Sequence, residues 1–187
     1  MRSLVAAVLV SLLALPVAAA TLEERLAPCF ACHGAQGQST LPEVPSLGAQ
    51  PEFYVMVQLY MFRAGMRVVE PMNEMTRDLS DDELRSMAAA IAKLPPPPAA
   101  TVPAADRLER ASALIQQHRC NFCHNQDFSG AQNVPRLAGQ REDYLVKALR
   151  EYKSNARRGY DAAMADVMYP VTDADILDLA HFLTHLR

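Results

Sequence analysis

Behind Ser80-Asp81-Asp82-Glu83, apolar residues fall at Leu84, Met87, Ala88 and Ile91, a spacing that puts them on one face of a helix. The Ser80 hydroxyl can accept from the third backbone N–H while Glu83 reaches back, a capping box that marks the helix start. The same pattern returns late in the chain, where Thr172-Asp173-Ala174-Asp175 precedes Ile176, Leu179, Ala180 and Leu183. Middle helices are predicted from Pro51 to about Ala64 and from Arg141 to about Ala156. First helices are predicted near Thr21 to Ala27 and from Ala104 to Gln117. Loops such as Gly34 to Ser39 separate them, and no strand pair is legible. The predicted class is all-α.

The two sets of helices are copies of one unit. Pro45-Ser46-Leu47 answers Pro135-Arg136-Leu137, Gln50 answers Gln140, and Phe53-Tyr54 answers Asp143-Tyr144. Phe62-Arg63 answers Tyr152-Lys153, Met72 answers Met164, and Ser80-Asp81 answers Thr172-Asp173, with an offset of 90 to 92 throughout. Such self-similarity marks a duplicated domain. Between the copies, Leu94 to Pro103 lacks periodicity and holds Pro95-Pro96-Pro97-Pro98, which reads as an extended polyproline II spacer. The expected division is a domain at 21–94, a Pro-rich linker at 95–103 and a second domain at 104–187. Domains this small are marginal by hydrophobic burial alone and need a further staple.

Ahead of the first copy, Arg2, the apolar run Leu4 to Leu15 and Ala18-Ala19-Ala20 read as a signal peptide of residues 1–20, cleaved after Ala20. An uncleaved anchor is the competing reading, but the run is short for a span of about 20 residues. The mature chain is therefore expected in the periplasm.

The staple is written in the cysteines. All four lie in two pentapeptides, Cys29-Phe30-Ala31-Cys32-His33 and Cys120-Asn121-Phe122-Cys123-His124. Both fit C-x-x-C-H, the attachment signature of a c-type haem. Two thiols at this spacing reach the two vinyl groups of one porphyrin, and the histidine that follows falls beneath the iron as proximal ligand. A four-thiolate zinc centre or a redox dithiol is the alternative, but zinc pairs sit roughly 15–20 residues apart and these lie nearly a domain apart. Two covalently bound haem c groups are expected. For the sixth iron position, methionine suits electron transfer because a neutral thioether raises the potential. Met72 and Met164 each stand eight residues before the capping Ser or Thr, in the expected loop joining the middle and last helices. Met75 and Met168 are near rivals that do not align with each other, and any one methionine can equally be core filler. His118, His181 and His185 occur only in the second copy, where favourable contact with a helix C-terminus explains them. Bis-histidine ligation through one of them is the minor alternative.

These motifs, with P-x-L-x-x-Q, the following Tyr, the Met and the L-S-D-type helix start, resemble the di-haem class I cytochromes c, and the cytochrome c4 family in particular. The similarity covers nearly the whole mature chain. It implies two tandem class I cytochrome c domains related by a pseudo-twofold axis, with His33 and Met72 on one iron and His124 and Met164 on the other. It also implies that the Pro45 and Pro135 carbonyls accept from the two proximal histidines. The first copy departs from the family's P-x-L-A-G-Q at Gly48-Ala49, and Val171 replaces the usual Leu before the second cap.

Charge adds one distinction. Residues 21–97 hold six Lys/Arg against ten Asp/Glu, whereas 98–187 hold eleven of each. Arg150, Lys153, Arg157 and Arg158 cluster at the end of the second middle helix, either as a docking patch or as a solvated face. No basic excess supports nucleic-acid binding. The expected function is electron transfer between a respiratory donor and a terminal acceptor, with no substrate transformed. Expected partners are a quinol-oxidising complex, a terminal oxidase or a dehydrogenase, with peripheral membrane association an option. The alternative is an electron-accepting subunit of a periplasmic dehydrogenase, such as a flavoprotein oxidising sulfide or an alcohol. A peroxidase or gas sensor would need an open iron, which paired methionines argue against.

Overall fold

The computed structural model describes residues 20–157 and 162–187. Residues 1–19 of the predicted signal peptide, and Arg158, lie outside the described residues. The first half contains α1 (Leu22–His33), α2 (Glu52–Arg63), α3 (Met72–Thr76) and α4 (Asp81–Ala92). The second contains α5 (Ala105–His118), α6 (Cys120–His124), α7 (Glu142–Lys153), α8 (Ala162–Met168) and α9 (Asp173–Thr184). Among the described residues the only β pairing is an isolated bridge between Ala131 and Val134. No helix among them is long and apolar enough to cross a membrane.

Each half closes on its own apolar cluster. In the first, α2 packs on α4, burying Leu26, Val55, Met87, Ala88 and Ile91. In the second, α5 and α7 pack on α9 around Ile115, Phe128, Leu145, Ile176, Leu179 and Leu183. The predicted capping boxes form at both last helices, with Ser80 and Glu83 bonded reciprocally and Thr172 paired with Asp175 in the same way. A third box, Thr21 with Glu24, starts α1.

Three local expectations change. The first helix does not stop before Pro28 but runs through it and the cysteine motif to His33, where Gly34 at φ +79° closes it. Pro28 has no N–H for the carbonyl four residues back, and buried Leu26 together with Phe30 of the first core keeps the helix docked. In the second half the break does occur, at Arg119 in the left-handed region (φ +54°), so the motif forms the separate helix α6. The stretches bearing Met72 and Met164 are short helices rather than loops.

The linker is no free spacer. The Ala49 N–H donates to the Leu94 carbonyl at 3.1 Å, and the Ala100 N–H to the Thr184 carbonyl at 2.9 Å. Between those ties it crosses two glycines: a Cβ on Gly48 would lie 2.1 Å from the Pro95 oxygen, and one on Gly139 would lie 2.6 Å from the Pro97 oxygen. This accounts for the Gly48-Ala49 exchange. The first copy places its glycine where the linker passes, which leaves Ala49 in the left-handed region at φ +54°, where Gly139 sits at +72° in the second copy.

Arg150 and Lys153 of the basic cluster are engaged inside the half. Arg150 makes a two-bond pair with Asp173 at 2.7 Å each, Lys153 donates to the Tyr169 carbonyl, and Arg157 is buried. A second network ties α5 to α7 and α9. Asp178 takes Arg110 through two bonds and Arg107 through one, and Arg107 continues to Glu142. Glu142 in turn meets His181 Nδ1 at 3.2 Å, and His181 Nε2 accepts from the Ala104 N–H at 2.9 Å. Both ring nitrogens of His181 are thus engaged by protein groups, and the helix dipole is only part of its role.

The Arg110 hydrogen bonds hold the Asp178 carboxyl below its ordinary value, against the opposing pull of burial. A depressed folded value means stability that is present above the unfolded carboxylate value near 3.9 and lost as pH falls through the folded one. Asp178→Asn should therefore lower Tm at pH 7, with the gap to wild type closing below about pH 4. Melting both proteins from pH 7 down to 3 checks it; a gap of constant size would show that the charge of Asp178 contributes nothing.

Candidate functional site

Helix α1 delivers Cys29, Cys32 and His33 on its last turn, and α6 delivers Cys120, Cys123 and His124. In each set the first cysteine is half-buried and the second exposed. Burial pushes the Cys29 and Cys120 thiols up from their ordinary value. The two C-x-x-C pairs do not converge: among the described residues no group of three or more His, Cys, Asp or Glu is placed to share a metal ion. The four-thiolate zinc alternative is thereby removed.

Both histidines are buried and held by one device. His33 Nδ1 donates to the Pro45 carbonyl at 2.8 Å, and His124 Nδ1 to the Pro135 carbonyl at 3.0 Å. A proline carbonyl has no proton to give, so Nδ1 carries the hydrogen and Nε2 the lone pair that a metal needs. Burial lowers His33 below its usual value, more than the Pro45 bond raises it, and so keeps the ring neutral. The carbonyls are fixed in turn by matching turns. Leu47 and Gly48 donate to the Gly37 oxygen in the first half, while Leu137 and Ala138 donate to the Phe128 oxygen in the second.

The methionines separate by environment. Met72 opens α3 half-buried, and its neighbour Asn73 anchors the segment by accepting from the Val69 N–H and donating to the Phe62 and Arg67 carbonyls. Met75 faces outward at 43% exposure. Met164 lies half-buried against the second core, whereas Met168 is 2% exposed within it. Each of the two aligned methionines is therefore neither solvated nor sunk in the core.

Two residue sets to which the sequence reading gives no role meet between the halves. Gln140 accepts from the Ser46 N–H at 2.8 Å and donates to the Ser46 carbonyl at 2.9 Å. Gln50 does the same with Arg136, at 3.0 and 2.9 Å. Nearby, Tyr54 and Tyr144 bring their phenols together with Arg67 and Arg157. Arg157 donates to the Tyr144 hydroxyl at 3.3 Å with only 7% of its side chain exposed. The guanidiniums stack in matching fashion, Arg67 over Phe62 and Arg157 over Tyr152. Burial and the neighbouring phenol push Tyr54 up to about 12. Tyr144 would also rise on burial, but the Arg157 and Arg67 cations bring it down to about 8. A nearly buried Arg157 and a half-buried Arg67 thus face the two phenols. Their sequence signal was the recurrence of Gln, Tyr and Arg at an offset of 90 in both copies.

The donor set fits a haem c in each half: paired thiols, a neutral histidine with its Nδ1 proton engaged, and cations suited to the porphyrin carboxylates. Comparison with known proteins agrees. The Cytochrome c family model matches residues 108–187. The "Thiosulfate dehydrogenase electron acceptor" of Thiomonas intermedia is 31% identical over 91% of this chain and 83% of its own length. Cytochrome c4 of Stutzerimonas stutzeri is 30% identical over 87% and 86%. The crystal structure of reduced recombinant cytochrome c4 from Pseudomonas stutzeri superposes with a TM-score of 0.80 at 26% identity, covering 89% of this chain and 97% of that one.

Proposed function

Because the chain belongs to the cytochrome c4 family of di-haem, electron-transferring cytochromes c, we propose that it is an exported carrier with two histidine–methionine-ligated haems, moving electrons between a respiratory donor and a terminal acceptor and transforming no substrate. When bound, each haem c supplies a one-electron couple at its iron. Cys29 and Cys32 hold one group and Cys120 and Cys123 the other, within domains at 21–94 and 104–187 on either side of the linker at 95–103. His33 and His124 present Nε2 to the irons because the Pro45 and Pro135 carbonyls fix each ring's tautomer and orientation. Met72 and Met164 would each offer a thioether to the iron and would keep exogenous ligands out. Arg67, Arg157, Tyr54 and Tyr144 receive the porphyrin carboxylates between the halves. The observation that carries the reading is the paired histidine–proline bond, present once in each half.

A second reading, a dedicated electron-accepting subunit of a periplasmic dehydrogenase, is favoured by one observation, the 31% identity to a protein named as a thiosulfate dehydrogenase electron acceptor. Co-purification with a larger catalytic chain separates the two. The ligation is tested optically. The ferric protein should show the sulfur-to-iron band for both haems, and the ferrous protein should ignore carbon monoxide; a haem that binds it has no methionine ligand.

A further inference from the structure

The Pro45 carbonyl and the Ser46 N–H are the two ends of one peptide unit. The carbonyl accepts from His33 Nδ1 at 2.8 Å, and the N–H donates to Gln140 Oε1, from the other half, at 2.8 Å. The sister arrangement repeats it with the halves exchanged. His124 Nδ1 donates to the Pro135 carbonyl at 3.0 Å, and the Arg136 N–H of that same peptide donates to Gln50 Oε1 at 3.0 Å. Each proximal histidine is thus joined through a single peptide to a glutamine of the opposite domain.

Peptide resonance places electron density from nitrogen on the carbonyl oxygen. An acceptor at the N–H end increases that transfer, so the carbonyl becomes the better acceptor, as bonds in a chain polarise one another. A better acceptor at Nδ1 raises the basicity of the histidine as a ligand, and a more basic ligand favours the ferric iron. The Ser46 peptide is dry, with Ser46 and Gln140 both buried, so water does not replace a lost partner there, and Gln50 is buried beside a half-buried Arg136. The amide orientation is set as well, since Gln140 Oε1 also accepts from the Arg141 N–H at 3.0 Å while Nε2 donates to a carbonyl.

We propose that Gln140 is a positioning residue that lowers the reduction potential of the haem held by His33, and that Gln50 does the same for the haem held by His124, each acting across the domain interface through one peptide group. This rests on the reading of His33 and His124 as proximal ligands.

The test is a potentiometric titration of the full-length holoprotein followed by NMR, which resolves the haem methyl signals, assigned to each half with Met164→Leu. Gln140→Leu should raise the His33 haem so that its ferrous-to-ferric ratio at fixed potential increases about threefold, about 30 mV at 59 mV per tenfold, with the His124 haem unmoved. Gln50→Leu should produce the reverse pattern, and it stands in if Gln140→Leu fails to fold. Gln140→Glu, taking a proton against the Ser46 carbonyl, still offers an oxygen to the Ser46 N–H and should restore the wild-type value. A merely loosened interface would move both haems together, and that result overturns the proposal. Unmoved potentials in a variant with the wild-type visible spectrum overturn the relay alone. A wild-type protein without a low-spin c-type spectrum overturns the ligand reading and the relay with it.

Discussion

Met164→Leu is expected to erase the sulfur-to-iron band of one haem, leave the other intact, and let the altered ferrous haem bind carbon monoxide. Leucine matches methionine in volume, so a Leu-for-Met exchange costs under about 1.5 kcal/mol, and the half should stay folded. What disappears is the thioether, a neutral ligand that favours ferrous iron. The potential of that haem should fall by on the order of a few tenths of a volt, within the ~0.8 V over which axial ligands set haem potentials. The controls are the two rivals. Met168 is 2% exposed in the second core, so Met168→Leu should keep both bands. Met75→Leu, at 43% exposure, should change neither spectrum nor stability. Ferric spectra of the three variants decide the matter, and a band lost in Met168→Leu would transfer the assignment to that residue.

Gly48→Ala should cost about 3 kcal/mol, the upper end of the usual cost of overpacking. The added carbon would stand 2.1 Å from the Pro95 carbonyl oxygen and 3.4 Å from that of Gln36, both backbone atoms that no side-chain rotation relieves. Gly65→Ala is the matched control. Gly65 has φ +66° and nothing within 4 Å of the added carbon, so that change meets only the left-handed penalty of about 1 kcal/mol. Urea midpoints of the two variants separate collision from conformation. Equal losses would mean that the linker gives way at Pro95.

The elements legible in sequence were those fixed by contacts within a few residues. Capping boxes at Ser80 and Thr172, the apolar faces of α4 and α9, and the C-x-x-C-H pentapeptides are all local patterns. The repeat made both copies visible, and Gln50 with Gln140 and Tyr54 with Tyr144 stood out in it as matched pairs. Their partners did not, because they lie 86 and 94 residues away for the glutamines and a whole domain away for the tyrosines. An alignment of one copy on the other sets Gln50 beside Gln140, which do not bond each other, and is silent on Arg136 and Ser46, which they do bond. The Gly48-Ala49 exchange, seen as a departure from a family pattern, has the same origin, since only the path of the linker gives it meaning. His181 shows the limit from the other side: its place on a helix end was legible, while its bonds to Ala104 and Glu142 depend on three elements meeting.

The glutamine pairs are also isologous. Each half offers the same two things, a carboxamide and a peptide edge, and reads only backbone atoms in its partner. By that rule alone an N-terminal half would be as complementary to a second N-terminal half as to its own sister, the situation of a twofold dimer. The Glu43–Lys147 pair at 2.9 Å breaks the degeneracy, because the position matching Lys147 in the first copy is Val57. An exposed pair of that kind discriminates by no more than about 1 kcal/mol. Most of the selectivity falls to the linker, which keeps the sister half at a high effective concentration. A chain cut between Pro95 and Pro103 should therefore lose its pairing fidelity before it loses its fold.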